Sequence, residues 1–185
     1  MVEAAAVDAD HEVSAARQEE AQGVFVIALH AAAQIVFHAL HNCAKLRSAM
    51  RVVLDTNVLI SACLKPLGLE AEMVARACDG RILACVTEEV WAEYREVLFR
   101  DKFRAWHERA ETMLGALGAC ALRVSGAERV SIAADEDDNR FLECAAAAGA
   151  EYLVTGNLRH YPAEWAGTRV VNARGFVEWI VLTSK

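Results

Sequence analysis

Met50-Arg51-Val52-Val53-Leu54-Asp55-Thr56-Asn57-Val58-Leu59-Ile60-Ser61-Ala62 decides the fold. Val52 to Leu54 is a short β-branched apolar run that reads as a buried strand, and it stops abruptly at Asp-Thr-Asn. Apolar residues resume at Val58-Leu59-Ile60, which opens a helix. A carboxylate just past a buried strand is poor for packing and well placed for chemistry. Open α/β sheets take their ligands in the crevice outside the carboxyl ends of the strands.

Working outward, strand and helix patterns alternate. A helix near Val58–Leu64 ends at the Lys65-Pro66-Leu67-Gly68 turn, and a second, Glu70 to Cys78, stops at Asp79-Gly80. Ile82–Val86 is a second buried strand, after which Thr87 caps a helix with Glu88 and Glu89 in its first turn. The pattern then predicts a helix over Phe103–Leu117, a strand over Cys120–Val124 and an acidic loop over Ser125–Asp137. A helix over Asp138–Ala148, strands over Glu151–Thr155 and Thr168–Val171, and a last helix over Ala173–Leu182 complete it. This alternation predicts a parallel sheet of four or five strands with helices on both faces, an α/β/α sandwich.

Composition bounds the function. At 185 residues and 55% apolar, with two prolines and ten glycines, the chain suits one compact domain with an extension. Its net charge of −7 counts against broad nonspecific nucleic-acid binding, which needs Lys and Arg on phosphates. A cluster of acidic metal ligands would account for that excess, because bound cations offset it locally. The six cysteines lie in apolar contexts with no C-x-x-C pair, so they read as buried thiols of a reducing, cytoplasmic compartment.

Four places put side-chain oxygens where strand ends and helix starts should converge. They are Asp55; Glu93 on the helix after the second strand; Asp138, preceded by Asp135-Glu136-Asp137; and Asn157 in Thr155-Gly156-Asn157. Each has an ordinary reading on its own: a helix cap, a surface Glu, a solvated helix start. Together, in this order, they suit Mg²⁺ or Mn²⁺, which take oxygen ligands and can polarise a phosphoryl oxygen. No G-x-x-x-x-G-K-[ST], G-x-G-x-x-G or G-x-S-x-G occurs, and Asn57 stands where an aspartyl phosphatase needs a second acid.

These motifs resemble the PIN-domain family, metal-dependent ribonucleases that include VapC-type toxins, over Met50 to about Ile180. The match rests on Asp55-Thr56-Asn57, on Glu93 ahead of Arg95-Glu96-Val97-Leu98, on Asp135-Glu136-Asp137-Asp138 ahead of Phe141-Leu142, and on Thr155-Gly156-Asn157. The resemblance implies that Asp55, Glu93 and Asp138 bind the metal, with Asp135 as an outer ligand and Thr56, Asn57 and Thr155 orienting the acids. Many of these nucleases carry Asp in the last motif. Asn157-Leu158-Arg159-His160-Tyr161-Pro162 is similar to a Thr-Gly-Asn-x-Arg-His-Phe-Pro subgroup. The neutral Asn157 can offer a carbonyl oxygen or orient a water, which favours one strongly held ion over two. Arg159 and His160 are candidates for the scissile phosphate or leaving oxygen, or for plain surface-loop residues.

The family implies cleavage of single-stranded RNA to a 5′-phosphate and 3′-hydroxyl by a dimeric toxin neutralised by a cognate antitoxin. Trp91, Phe103, Tyr94 and Trp106 are interface candidates, with core packing as their alternative. A catalytically feeble module that binds RNA or a protein is the competing reading, and a nuclease acting on structured DNA a third. Residues 1–49 form an N-terminal extension to the nuclease domain at 50–185. They are rich in Ala and hold His11, His30, His38 and His41, at no ligand spacing. The apolar run Gly23 to Leu40 reads as a helix, short for a membrane span and without signal-peptide flanks. A docking helix, a weak anchor and translated upstream sequence with Met50 as the start compete; the last is preferred, because Met50 directly precedes the first strand.

Overall fold

The computed structural model describes residues 49–126 and 128–183, with side chains to residue 180. The helix expected over Gly23 to Leu40, the four N-terminal histidines and Cys43 lie outside the described residues. The sheet contains β1 (Arg51–Leu54), β2 (Leu83–Val86), β3 (Leu122–Arg123), β4 (Tyr152–Val154), β5 (Glu164–Trp165) and β6 (Thr168–Val171). The helices are α1 (Thr56–Leu64), α2 (Leu69–Cys78), α3 (Glu88–Leu98), α4 (His107–Cys120), α5 (Asn139–Ala148) and α6 (Ala173–Thr183).

The sheet order is β3-β2-β1-β4-β6-β5. Five strands run parallel, and β5 pairs antiparallel with β6. Val52, Val53 and Leu54 are fully buried because helices cover both faces of the sheet, which is why β1 shows no polar alternation. On one side α1, α2, α4 and α6 pack on one another, while α5 lies against β1, β2 and β4. After β1 the chain builds outward through β2 and β3, then returns to place β4 on the opposite flank of β1. The order therefore reverses between β1 and β4, and a crevice opens beyond their carboxyl ends.

The fold agrees with the α/β/α expectation, with two local corrections. The helix expected over Phe103–Leu117 is a 3₁₀ segment, Asp101–Trp106, followed by α4. Trp106 interrupts the helical path with φ −118° and ψ 8°. The second correction is β5, which raises the sheet to six strands. Trp165 pairs with Thr168 across a two-residue turn in which Ala166 (φ 49°) and Gly167 (φ 84°) both have positive φ. That is the twist a tight hairpin requires, made here by Ala-Gly rather than the Asn-Gly that would have advertised it.

The acidic loop is tied down by α5. Asn139 and Glu143, one turn apart and buried, accept backbone N–H bonds from Ile132, Ala133 and Val130 at 2.9, 2.8 and 2.9 Å. These two polar side chains replace the backbone ladder that the loop lacks.

Candidate active site

Asp55 is the residue on which the crevice is built. It caps α1, its Oδ1 accepting the Asn57 N–H at 3.1 Å, and only 4% of it is exposed. Oδ2 accepts two hydroxyls, Thr155 at 2.6 Å and Tyr161 at 3.0 Å. A carboxylate has room for about four donors, so three protein donors hold Asp55 rigidly and leave one acceptor position, on Oδ1.

Thr155 joins the ends of β1 and β4. Its hydroxyl donates to Asp55 and accepts from Asn57 Nδ2 at 3.2 Å and the Asn157 N–H at 2.9 Å. Its one donor and both lone pairs are thereby used. Asn57 closes the clasp by accepting the Gly156 N–H at 2.7 Å. A Cβ on Gly156 would stand 3.2 Å from Asn57 Oδ1, so the close approach favours glycine. From below, buried Tyr94 donates its hydroxyl to the Leu54 carbonyl, fixing the last residue of β1.

Glu93 reaches the crevice from α3. Its Oε1 accepts the Thr56 hydroxyl at 3.3 Å, and its Oε2 lies 2.7 Å from Arg140 Nη1. Burial pushes its carboxyl above the usual range; Arg140 opposes the shift, and the charges of Asp137 and Asp55 add to it. Asp138 stands at the start of α5 and holds His160 Nδ1 at 2.6 Å. Burial raises its proton affinity too, against the His160 hydrogen bond, with Asp55 and Asp135 contributing repulsion. Asp55 is thus felt by both other acids. Burial beside Asp55 and Asp138 likewise pushes the Tyr161 phenol upward, so it stays a hydrogen-bond donor.

Among the described residues, Asp135, Asp138 and His160 form a group that could hold a metal, with one ligand atom from each lying within 4.8 Å of the others. That trio differs from the expected set of Asp55, Glu93 and Asp138. It shares only Asp138 with that set, draws in Asp135 and His160, and leaves out both Asp55, held by its three donors, and Glu93, paired to Arg140. Asn157 and Arg159 are exposed on the loop after β4, where Asn157 contributes a backbone N–H to Thr155. Of the aromatic candidates, Tyr94 is wholly inside; Trp91 packs edge-on against it and lies under the Arg123 guanidinium, 4.2 Å from the ring centroid.

Sequence reasoning passed over Tyr161 and Arg140. Tyr161 sits in the Asn-Leu-Arg-His-Tyr-Pro segment, where charged neighbours drew notice first. Arg140, two residues past Asp138, was a signal of a different kind: a lone cation among five acids from Asp135 to Glu143.

A family model for the PIN domain matches residues 51–159. No curated protein and no solved structure matches the chain.

Proposed function

The chain belongs to the PIN-domain family, and from that premise we propose that it is a divalent-metal-dependent endoribonuclease acting on single-stranded RNA. Nuclease chemistry is the general activity of the family. The observation that supports the reading here is the group of Asp135, Asp138 and His160, one ligand atom of each within 4.8 Å of the others, with the charge of Asp55 raising the proton affinity of both Asp138 and Glu93. Acids arranged against their own repulsion suit a cation.

Asp55, Glu93 and Asp138 would hold Mg²⁺ or Mn²⁺, with Asp135 and His160 beside Asp138. The donor set fits a hard divalent ion, being dominated by carboxylate oxygens. Such an ion would polarise the phosphoryl oxygen and lower the pKa of water. The chain's own residues do the rest. Thr155, Tyr161 and the Asn57 amide hold Asp55 in one orientation. Asp138 holds the His160 ring through Nδ1, and to that ring we assign the proton passed to the departing 3′-oxygen. Asn157 and Arg159, exposed after β4, are the residues we assign to the substrate backbone. Water attack in line on phosphorus breaks the P–O3′ bond and leaves a 5′-phosphate and a 3′-hydroxyl.

A toxin of a toxin–antitoxin pair, dimeric, cytoplasmic and silenced by a small protein antitoxin, is the biological setting we propose. No helix among the described residues is long and apolar enough to cross a membrane. A second reading, a feebly catalytic module that binds RNA or protein, is favoured by the ion pair that occupies Glu93 and by the uncharged Asn157. RNA cleavage with Mn²⁺ by the native chain and by Asp55→Asn separates the two. Activity that depends on Asp55 supports the enzyme; equal, negligible activity in both removes it.

A further inference from the structure

Arg140 makes three contacts that bridge Glu93 and Asp137. Nη1 lies 2.7 Å from Glu93 Oε2, Nη2 lies 2.5 Å from Asp137 Oδ1, and Nε donates to the Asp137 carbonyl at 2.8 Å. The Glu93 and Arg140 side chains are 18% and 27% exposed, so this pair is held in a far less aqueous setting than an ordinary surface bridge. The Asp137 side chain, by contrast, is 79% exposed. One end of the guanidinium is therefore gripped inside the acidic crevice, and the other is moored at the surface.

We propose that Arg140 is an internal counter-ion that occupies the Glu93 carboxylate until a divalent cation displaces it, and that it thereby sets the metal affinity of the site. This rests on the reading of the acids given under Proposed function. The cation and the guanidinium compete for the charge of the same carboxylate: Arg140 holds Glu93 Oε2 at 2.7 Å, while Oε1 accepts only one hydroxyl, that of Thr56 at 3.3 Å. Displacement has somewhere to go. Arg140 lines a cavity of about 510 Å³ together with Arg129, Ser131 and Glu136, which leaves open space beside the guanidinium. A ligand that requires a minor state binds with an affinity reduced by that state's population. With Arg140 on Glu93 nine-tenths of the time, the apparent affinity falls about tenfold.

Mn²⁺ affinity of the full chain, followed by electron paramagnetic resonance of the free ion, tests this. Arg140→Gln is expected to tighten Mn²⁺ binding about tenfold. Removing a positive charge would do the same through space, so Arg140→Lys decides. Lysine keeps the charge but cannot span Glu93 and Asp137 with a planar fork. Competition predicts that Arg140→Lys also binds Mn²⁺ more tightly, by about threefold or more, and Arg140→Lys at the wild-type affinity overturns the proposal. Unchanged or weaker binding by Arg140→Gln overturns it as well. Asp55→Asn and Glu93→Gln report on the underlying site: if neither weakens Mn²⁺ binding, the acid-site reading fails. If both weaken it while Arg140→Gln gains nothing, only the role of Arg140 fails. Thermal unfolding of each variant checks that the fold is retained.

Discussion

The phenol of Tyr161 donates to the carboxylate of Asp55 at 3.0 Å across 106 residues of chain, and both side chains are buried. The contact fastens the loop after β4 to the end of β1 and supplies one of three donors to the acid at the centre of the crevice. Tyr161→Phe removes that donor alone. A hydrogen bond to a charged group contributes about 1.5–3 kcal/mol, so stability should fall by roughly that much in urea unfolding. If Asp55 works in the reaction, kcat should fall several-fold with KM for RNA little changed. A change confined to KM would assign Tyr161 to substrate binding instead.

Thr155 offers a sharper test of the clasp. Thr155→Val keeps the shape but leaves Asn57 Nδ2 and the Asn157 N–H without an acceptor and Asp55 without its shortest hydrogen bond. Stranded donors cost about 1–3 kcal/mol each, less where water reaches them, so a loss of about 2–4 kcal/mol is expected. Thr155→Ser retains the hydroxyl and should recover most of it. Chemical denaturation of the three proteins gives the answer, and equal stability of Val and Ser variants would show that water substitutes for the hydroxyl.

How far the sequence revealed this arrangement depended on where the information lay. Val52-Val53-Leu54 and Tyr152-Leu153-Val154 announced themselves, because strands buried on both faces must be apolar throughout. Asp55 and Asp138 could be read as acids at a strand end and a helix start, whereas Glu93, in the middle of α3, was an ordinary helix acid until the order of the motifs singled it out. What sequence could not supply was pairing between residues far apart in the chain. Tyr161 is an unremarkable aromatic until the fold lays it against Asp55, and Glu143 is one more helix acid until it takes the Val130 N–H. Arg140 stands in the sequence as a lone cation among acids, but only the packing of α5 beside α3 brings it to Glu93. β5 was hidden for a local reason, since Ala166 adopts a left-handed backbone that its side chain does not favour.

That left-handed alanine makes a prediction remote from the acids. Asn tolerates positive φ better than Ala and is favoured at the first central position of such a turn. Ala166→Asn should therefore raise stability by about 0.5–1 kcal/mol. Metal affinity and RNA cleavage should not change, because the hairpin lies at the far edge of the sheet from β1. Thermal unfolding detects the gain; a loss would mean that Ala166 packs against something the larger side chain displaces.

Glu93 and Asp138 link stability to both pH and metal. Burial, joined by the charge of Asp55, makes each hold its proton more tightly in the folded chain than in the unfolded one. Their stabilising contribution is complete below the ordinary carboxylate pKa of about 4 and is lost as pH rises through their higher folded values. At neutral pH the metal-free protein therefore carries ionised, partly buried acids that repel one another. In EDTA the wild-type chain should lose stability relative to Asp138→Asn as pH climbs from about 4 to 7, because the amide does not titrate. Comparing the two cancels the opposing contribution of Glu89, whose pKa is lowered by hydrogen bonds at the start of α3. Mn²⁺ at neutral pH should then raise the melting temperature of the wild-type chain and do much less for Asp138→Asn, since a ligand that binds only the folded state stabilises it. Parallel pH curves for the two proteins, with equal responses to Mn²⁺, would mean that Asp138 neither pays for its burial in protons nor meets a cation in the crevice.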